Sequence, residues 1–337
     1  MAGAPISEHN IGFPVRRVRR RHRLVEAGIW LHIAHASVGG VSPPVVRTVV
    51  VGDLMTDVVA HAHGQARPGT DTSASVRTHG GGSGANTAAW LASAGTATAF
   101  VGRVGDDDLG HAALDHLRES GVEPYVTIDK SRPTGTCVVV VFPDGQRSKF
   151  PDVGANAGLR PADLPDDVFV EGRHLHLTGY PLLSEKSRLA ALASLDLARL
   201  RHMTASVDPA SSGPLADVGP DMFLSWTAGV DLLLVNAQEA TTLTGRVDPT
   251  DAGRALVGSY RNVVVKLGSE GAMWLSRDME PVMSPALAVT LADTTGAGDA
   301  FAAGFIPAWL DGSGPEAALA AGNRLAAKAV SMEAARP

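Results

Sequence analysis

The residues best suited to chemistry lie in Asp293-Thr294-Thr295-Gly296-Ala297-Gly298-Asp299-Ala300-Phe301. The two glycines let the backbone come close to a bound group and take torsions that other residues avoid. From Asp299 to Leu310 apolar side chains recur at helical spacing, with Pro307 marking a late kink or stop. A helix start offers unpaired N–H groups and the positive end of a dipole, which suits a phosphate. A carboxylate in that first turn is placed to take a proton from an attacking hydroxyl. One turn of chain thus supplies an anion cradle from Gly296, Ala297 and Gly298 and a base in Asp299. Without its surroundings, the same stretch also reads as an ordinary turn with an acid at a helix start.

Other polar groups fall at the ends of apolar runs. Gly52-Asp53-Leu54-Met55-Thr56-Asp57 follows the run Val45–Val51 and reads as a turn leaving Asp57 at a strand's C-terminal end, where open α/β sheets bind ligands. Asp57 reads equally as a turn-capping residue. Gly80-Gly81-Gly82-Ser83-Gly84-Ala85-Asn86 runs into a small-residue helix, and Asn86 both donates and accepts hydrogen bonds, as a polyol requires. It is no dinucleotide fingerprint, because Gly82-x-Gly84-x-x-Thr87 lacks the third glycine. Asn236-Ala237-Gln238-Glu239 closes the apolar run Val230–Val235 and, without its surroundings, reads as a helix N-cap with an acid in its first turn. Lys266 closes Val263–Val265 and reads as a phosphate contact or a strand-end surface lysine. His174 and His176 share one strand face and, with no third ligand nearby, read as structural. Asp106, Asp107 and Asp108 read as a solvated helix start, and Cys137 as packing.

These residues need a scaffold that gathers strand ends. The chain has 337 residues, 45% hydrophobic and 19% charged, ordinary for a globular protein with a sizeable core. The net charge of −6 argues against a nucleic-acid binder. A single cysteine excludes an intrachain disulfide and fits a reducing cytoplasm. No apolar run is long enough to span a bilayer. Residues 1–45, with the cluster Arg16–Arg23, are expected to be a poorly ordered extension. From Val45 onward strands alternate with helices, implying a mostly parallel sheet covered on both faces. Thr134–Phe142 and Gln146–Phe150 flank Pro143-Asp144-Gly145 and read as a hairpin. No Gly-Lys pair occurs, so a Walker-type phosphate loop is excluded.

D-T-T-G-A-G-D-A-F resembles the C-terminal signature of the ribokinase-like (PfkB) carbohydrate kinases, and Gly81-Gly82 with Asn86 resembles their N-terminal one. The resemblance covers roughly residues 46–335, with the signatures in the family's order. It implies a ribokinase-like three-layer α/β/α sandwich over 46–337, with a small β lid from about 70–80 and 132–150. It implies Asp299 as catalytic base and Gly296–Gly298 as anion hole. Asp57, Gly81, Gly82 and Asn86 fall on sugar-contacting positions. Asn236, Glu239, Lys266, Gly268, Gly271 and Asn323 fall on the ATP side, with Glu239 placing Mg²⁺ through water. Asp293 and Thr295 match one side of a monovalent-cation (K⁺) site, although Glu333-Ala334-Ala335 carries alanine where the family has glycine.

The reaction expected is phosphoryl transfer from MgATP to a sugar hydroxyl in a cytoplasmic enzyme, with homodimers through the lid and neither nucleic acid nor membrane as partner. Met55 and Ser83 stand where ribokinases proper carry Asn and Lys, so ribose is not implied. The alternatives are a nucleoside or sugar-phosphate kinase of the same family and a non-catalytic sugar- or nucleotide-binding member. A sugar phosphate would call for basic residues near the lid, for which Arg132, Arg147 and Lys149 are available. A nucleotide-dependent oxidoreductase is disfavoured by the missing glycine fingerprint.

Overall fold

The computed structural model describes residues 47–66, 69–144, 146–277, 279–332 and 335–337. The expected N-terminal extension, with its arginine cluster, lies outside the described residues, as do Glu333 and Ala334. Among the described residues thirteen strands form: β1 (Thr48–Val51), β2 (Met55–Ala62), β3 (Ala74–Gly81), β4 (Thr98–Gly105), β5 (Glu123–Asp129), β6 (Gly135–Val141), β7 (Arg147–Asp152), β8 (His174–Thr178), β9 (Thr204–Asp208), β10 (Leu232–Asn236), β11 (Asn262–Lys266), β12 (Ala272–Ser276) and β13 (Met279–Ser284). Nine of them make one sheet in the order β13-β12-β11-β10-β9-β8-β1-β4-β5. It is parallel from β5 to β11 and ends in an antiparallel meander through β12 and β13.

The helices are α1 (Ser83–Ser93), α2 (Asp108–Glu119), α3 (Gly179–Leu183), α4 (Arg188–Leu200), α5 (Ser212–Val218), α6 (Pro220–Trp226), α7 (Ala237–Thr244), α8 (Pro249–Leu256), α9 (Ala297–Leu310) and α10 (Pro315–Val330). Odd and even strand positions explain the layers. Val49 and Val51 face Leu195, Leu215 and Leu243 of α4, α5 and α7, while Val50 faces Trp90 and Ala300 of α1 and α9. Strands buried on both sides must be apolar at every position, which is why β1, β10 and β11 read as unbroken runs. Trp90 is fully buried, and truncating it to alanine is expected to cost about 3–5 kcal/mol. Its indole N–H also donates to the Ala335 carbonyl at 2.9 Å, so this core residue fixes the 335–337 segment.

Four strands form a separate lid sheet in the order β3-β2-β6-β7. The hairpin read around Asp144 forms as β6 and β7. The structure corrects the reading of Asp57: it is not in a turn at a sheet-strand end but is the third residue of β2, a lid strand the sequence reading did not recognise. Asp107 caps α2 and also accepts from the Thr134 N–H and hydroxyl at 2.8 and 2.6 Å, tying the entry to β6 down. His174 and His176 bond to Thr204 and Ser206 at 2.8–2.9 Å, and burial pushes the His176 pKa down to about 4. They are neutral structural residues, and no three metal-ligating side chains converge among the described residues.

Candidate active site

A cleft of about 740 Å³ lies between the lid and the C-terminal ends of the parallel strands. Its floor is the start of α9. Gly296 caps that helix with φ 75°, a left-handed torsion, and a Cβ there would fall 2.7 Å from the Ala335 carbonyl. No side chain caps the helix. Among the described residues, no protein acceptor meets the N–H groups of Gly298 or Asp299. The first turn therefore keeps open donors and a positive dipole end facing the cleft.

Asp299 is held on both oxygens. The Ser83 hydroxyl donates to Oδ1 at 2.7 Å and the Asn86 amide to Oδ2 at 3.1 Å, both from the first turn of α1. Burial pushes its pKa up to about 7, against the pull of those two hydrogen bonds and of Lys266. A carboxylate poised near neutrality is suited to proton transfer. Asn86 is oriented in turn: its Oδ1 accepts from Arg336 Nε at 2.8 Å, and Arg336 Nη2 donates to the Gly81 carbonyl. Asp53 accepts the N–H groups of Ser83 and Gly84, both at 3.2 Å, satisfying donors that Gly82 at the helix cap has no side chain to meet. Asp57 reaches the cleft from the lid. A Cβ on Gly81 would fall 2.1 Å from its Oδ1, so only glycine admits the carboxylate there. Burial raises the pKa values of Asp53 and Asp57, while Lys149 pulls Asp57 the other way.

A second group sits at the ends of β9, β10 and β11. Lys266 Nζ meets Asp208 Oδ2 at 2.5 Å, and a Cβ on Gly298 would lie 3.2 Å from that ammonium. Lys266 is thus a largely enclosed, ion-paired residue beside the start of α9 rather than a surface lysine. Burial works to lower its pKa, but Asp208 and Glu239 carry it upward. Asn236 and Glu239 form a reciprocal capping box on α7, each side chain accepting the other's N–H at 2.8 Å. Burial and the nearby Asp208 raise Glu239 to about 7.

The lid clasps the signature loop. Arg147, first residue of β7, pairs with Asp293 and donates to Thr295 Oγ1 at 2.9 Å and Thr294 Oγ1 at 3.1 Å. Burial alone would raise Asp293, but the Thr295 N–H and Arg147 hold it below the usual carboxylate range. Arg132 is likewise engaged, by Asp129 at 3.0 Å. Of Arg132, Arg147 and Lys149, Lys149 is the one that lines the cleft, and no carboxylate lies within ion-pair distance of it among the described residues.

Asp57, Gly82, Asn86, Asn236, Glu239, Lys266, Thr295, Gly296, Gly298 and Asp299 all line this one cleft. Gly81, Asp293, Ala297, Gly268, Gly271 and Asn323 do not. Gly271 packs against the Ser284 carbonyl, and the Asn323 amide donates to Ser284 and Pro285 oxygens at 3.0–3.2 Å. Sequence reasoning missed Asp53, Asp208, Tyr180 and Arg336. Asp208 ends a β-strand just as Asn236 and Lys266 do, a position that could have found it. Nothing local marks Arg336, whose partner Asn86 is 250 residues away.

The sequence pattern described as pfkB family carbohydrate kinase matches residues 47–337. An ATP-dependent ribose-1-phosphate kinase of Halopiger xanaduensis is 33% identical over 298 residues, covering 86% of this chain and 94% of that protein. Mus musculus ribokinase is 32% identical over 263 residues, covering 75% of this chain and 78% of that protein. The crystal structure of adenosine kinase from Sinorhizobium meliloti superposes with a TM-score of 0.79 at 26% identity, over 87% of this chain and 96% of that one. The chain belongs to the pfkB family of carbohydrate kinases: it is a phosphotransferase whose acceptor is a sugar.

Proposed function

We propose that the protein transfers the γ-phosphoryl group of MgATP to a hydroxyl of a free sugar, with Asp299 as the base. The observation that carries this is the partly buried Asp299 carboxylate, held by Ser83 and Asn86 in the same helical turn as the open Gly298 and Asp299 N–H groups. A hydroxyl bound against Asp299 loses its proton to that carboxylate as the phosphoryl group arrives. The α9 N-terminus and Lys266 meet the charge on the transferred group. Asp57, Gly81, Gly82 and Asn86 bind the sugar hydroxyls. Lid closure over them keeps out water, the competing acceptor.

Asn236, Glu239 and Lys266 form the phosphate end of the nucleotide site. A bound Mg²⁺ would neutralise charge shared between phosphates. The buried carboxylates Asp208 and Glu239 fit it through water, since no all-protein cage exists among the described residues. Gly268, Gly271 and Asn323 act by shaping the loops behind that site. A monovalent cation fits less well: the Asp293 carboxylate it would need, beside Thr295, is paired with Arg147. Turnover is therefore expected to be the same with and without K⁺.

A second reading, a sugar-phosphate acceptor, is favoured by Lys149, which lines the cleft near Asp57 with no carboxylate partner among the described residues, and by the Halopiger relative. ADP release with MgATP is to be measured across D-ribose, D-fructose, ribose 1-phosphate, 2-keto-3-deoxygluconate and adenosine, with Asp299→Ala alongside. Turnover of a free sugar that the variant abolishes supports the proposal. Turnover confined to the phosphorylated sugar replaces it with the second reading, and wild-type turnover in the variant overturns the assignment of the base.

A further inference from the structure

We infer that Arg336 is a positioning residue for the reaction: its guanidinium locks the Asn86 amide so that the NH₂ group, and not the oxygen, is presented to Asp299. The inference rests on the proposed role of Asp299 as base. An amide can face a carboxylate either way round, and only one way is productive. With Oδ1 toward Asp299, two acceptors would meet and the carboxylate would lose a hydrogen bond. Arg336 removes that choice, because a guanidinium only donates. Its Nε holds Asn86 Oδ1 at 2.8 Å, and the Asn86 Nδ2 that remains reaches Asp299 Oδ2 at 3.1 Å.

The guanidinium is itself fixed on several sides. It is 9% exposed, Nη2 is held by the Gly81 carbonyl, and the preceding residue is anchored by Trp90. Nη1 has no partner among the described residues and lies where a Cβ on Gly80 would fall, 2.6 Å away. Burying an arginine with one unpartnered nitrogen is costly, which points to a function for the fork beyond packing. It makes no ion pair within 4 Å among the described residues, so its bonds go to an amide and a backbone carbonyl rather than to a carboxylate. Its positive charge still acts on Asp53, Asp57 and Asp299. Burial pulls its pKa down to about 10, which leaves it charged at neutral pH.

The groups around Asp299 are Ser83 and Asn86 on α1, Asp208 and Lys266 at the ends of β9 and β11, Tyr180 on α3, and Arg336. Losing Arg336 removes a positive charge and frees the Asn86 amide to turn. Both changes disfavour the carboxylate, so the Asp299 pKa must rise.

The test is ¹³C NMR of the full chain labelled at aspartate Cγ, with Asp299→Asn identifying the resonance. This needs no substrate. In the wild type the Asp299 carboxyl is expected to titrate near pH 7. Arg336→Gln is expected to raise that midpoint by at least half a unit. Arg336→Lys keeps the charge without the fork and is expected to raise it by less. Gly80→Ala displaces the guanidinium while keeping the arginine, and is expected to move the midpoint in the same direction as Arg336→Gln. Steady-state rates on the best acceptor of the panel are expected to show a tenfold or larger fall in kcat for Arg336→Gln, and a combined fall with Asn86→Ala smaller than the product of the two single losses. An unchanged midpoint in both Arg336→Gln and Gly80→Ala, or fully multiplicative losses in the double variant, overturns the inference. Should Arg336→Gln fail to fold, Gly80→Ala and Arg336→Lys decide it alone. Activity surviving in Asp299→Asn would instead sink the base assignment, an outcome separate from the titration.

Discussion

Two carboxylate groups lie at the cleft, and each gathers around one largely enclosed cation of a different kind. On the acceptor side Asp53, Asp57 and Asp299 surround Arg336, whose nitrogens bond to an amide and a carbonyl. On the nucleotide side Asp208 and Glu239 surround Lys266, which is paired directly with Asp208 at 2.5 Å. Arginine presents a planar fork of donors that fixes the orientation of what it holds, whereas lysine is a mobile point charge. The acceptor side is thus pre-set by the protein's own hydrogen bonds. On the nucleotide side the cation is neutralised by a carboxylate that an arriving phosphate can replace. On the mechanism proposed above, one side aims a proton acceptor and the other exchanges partners.

If this contrast holds, substitutions on the two sides fail in different ways. The largest effect is expected from Asp299→Asn, which should lower kcat by about a thousandfold or more. Its melting temperature should stay within about 3 °C of wild type. A stable variant with near-normal kcat would break the comparison at its base. Next comes Lys266→Met, which removes the donor beside the phosphate cradle and should cost about a hundredfold in kcat/KM for ATP. The acceptor KM should change far less. A loss confined to the sugar would show that the ammonium belongs to the acceptor side instead.

The pH profile sharpens the same contrast. Burial places Asp299 near pH 7, and the proposed role as base needs it ionised. On the acid side kcat/KM for the sugar should therefore fall as pH drops through about 7, approaching tenfold per unit below it. A profile flat from pH 8 to 5 would contradict the assignment. A smaller effect, a few-fold rise in acceptor KM with kcat nearly kept, is expected from Arg147→Ala, because that guanidinium fastens the lid to Asp293, Thr294 and Thr295 without touching Asp299.

Much of this was legible in the sequence because both-face burial leaves a strong mark. β1, β10 and β11 are continuous apolar runs, and the turns that follow them carry the polar residues. The glycine-rich stretch before α1 and the helix start at Gly296 were legible too, since their torsions and close approaches demand glycine. β2 was not. As a lid strand it is half-buried along most of its length, so neither of its faces is consistently apolar and Met55–Ala62 has no strand signature. Arg336 was illegible for another reason: its contacts with Gly81 and Asn86 are purely tertiary, and no local spacing encodes them.

The smallest predicted effect bears on a residue whose sequence supports two jobs. Asn236 is an N-cap by geometry, since its Oδ1 accepts the Glu239 N–H and Glu239 Oε2 accepts the Asn236 N–H. It also lines the nucleotide side of the cleft. Removing a cap costs about 1 kcal/mol, so Asn236→Ala should lower the melting temperature by about 2 °C. Serine caps a helix nearly as well as asparagine but has no amide. If Asn236 only caps α7 and so aims Glu239, Asn236→Ser should keep both stability and the KM for ATP. If the amide itself meets the nucleotide phosphates or their metal, Asn236→Ser should keep its melting temperature and still lose several-fold in kcat/KM for ATP. The second result is the one expected here, because a side chain needed only as a cap would not have to open onto the cleft beside Lys266 and Glu239. An unchanged KM would reduce Asn236 to scaffold and leave the exchange of partners to Lys266 and Asp208.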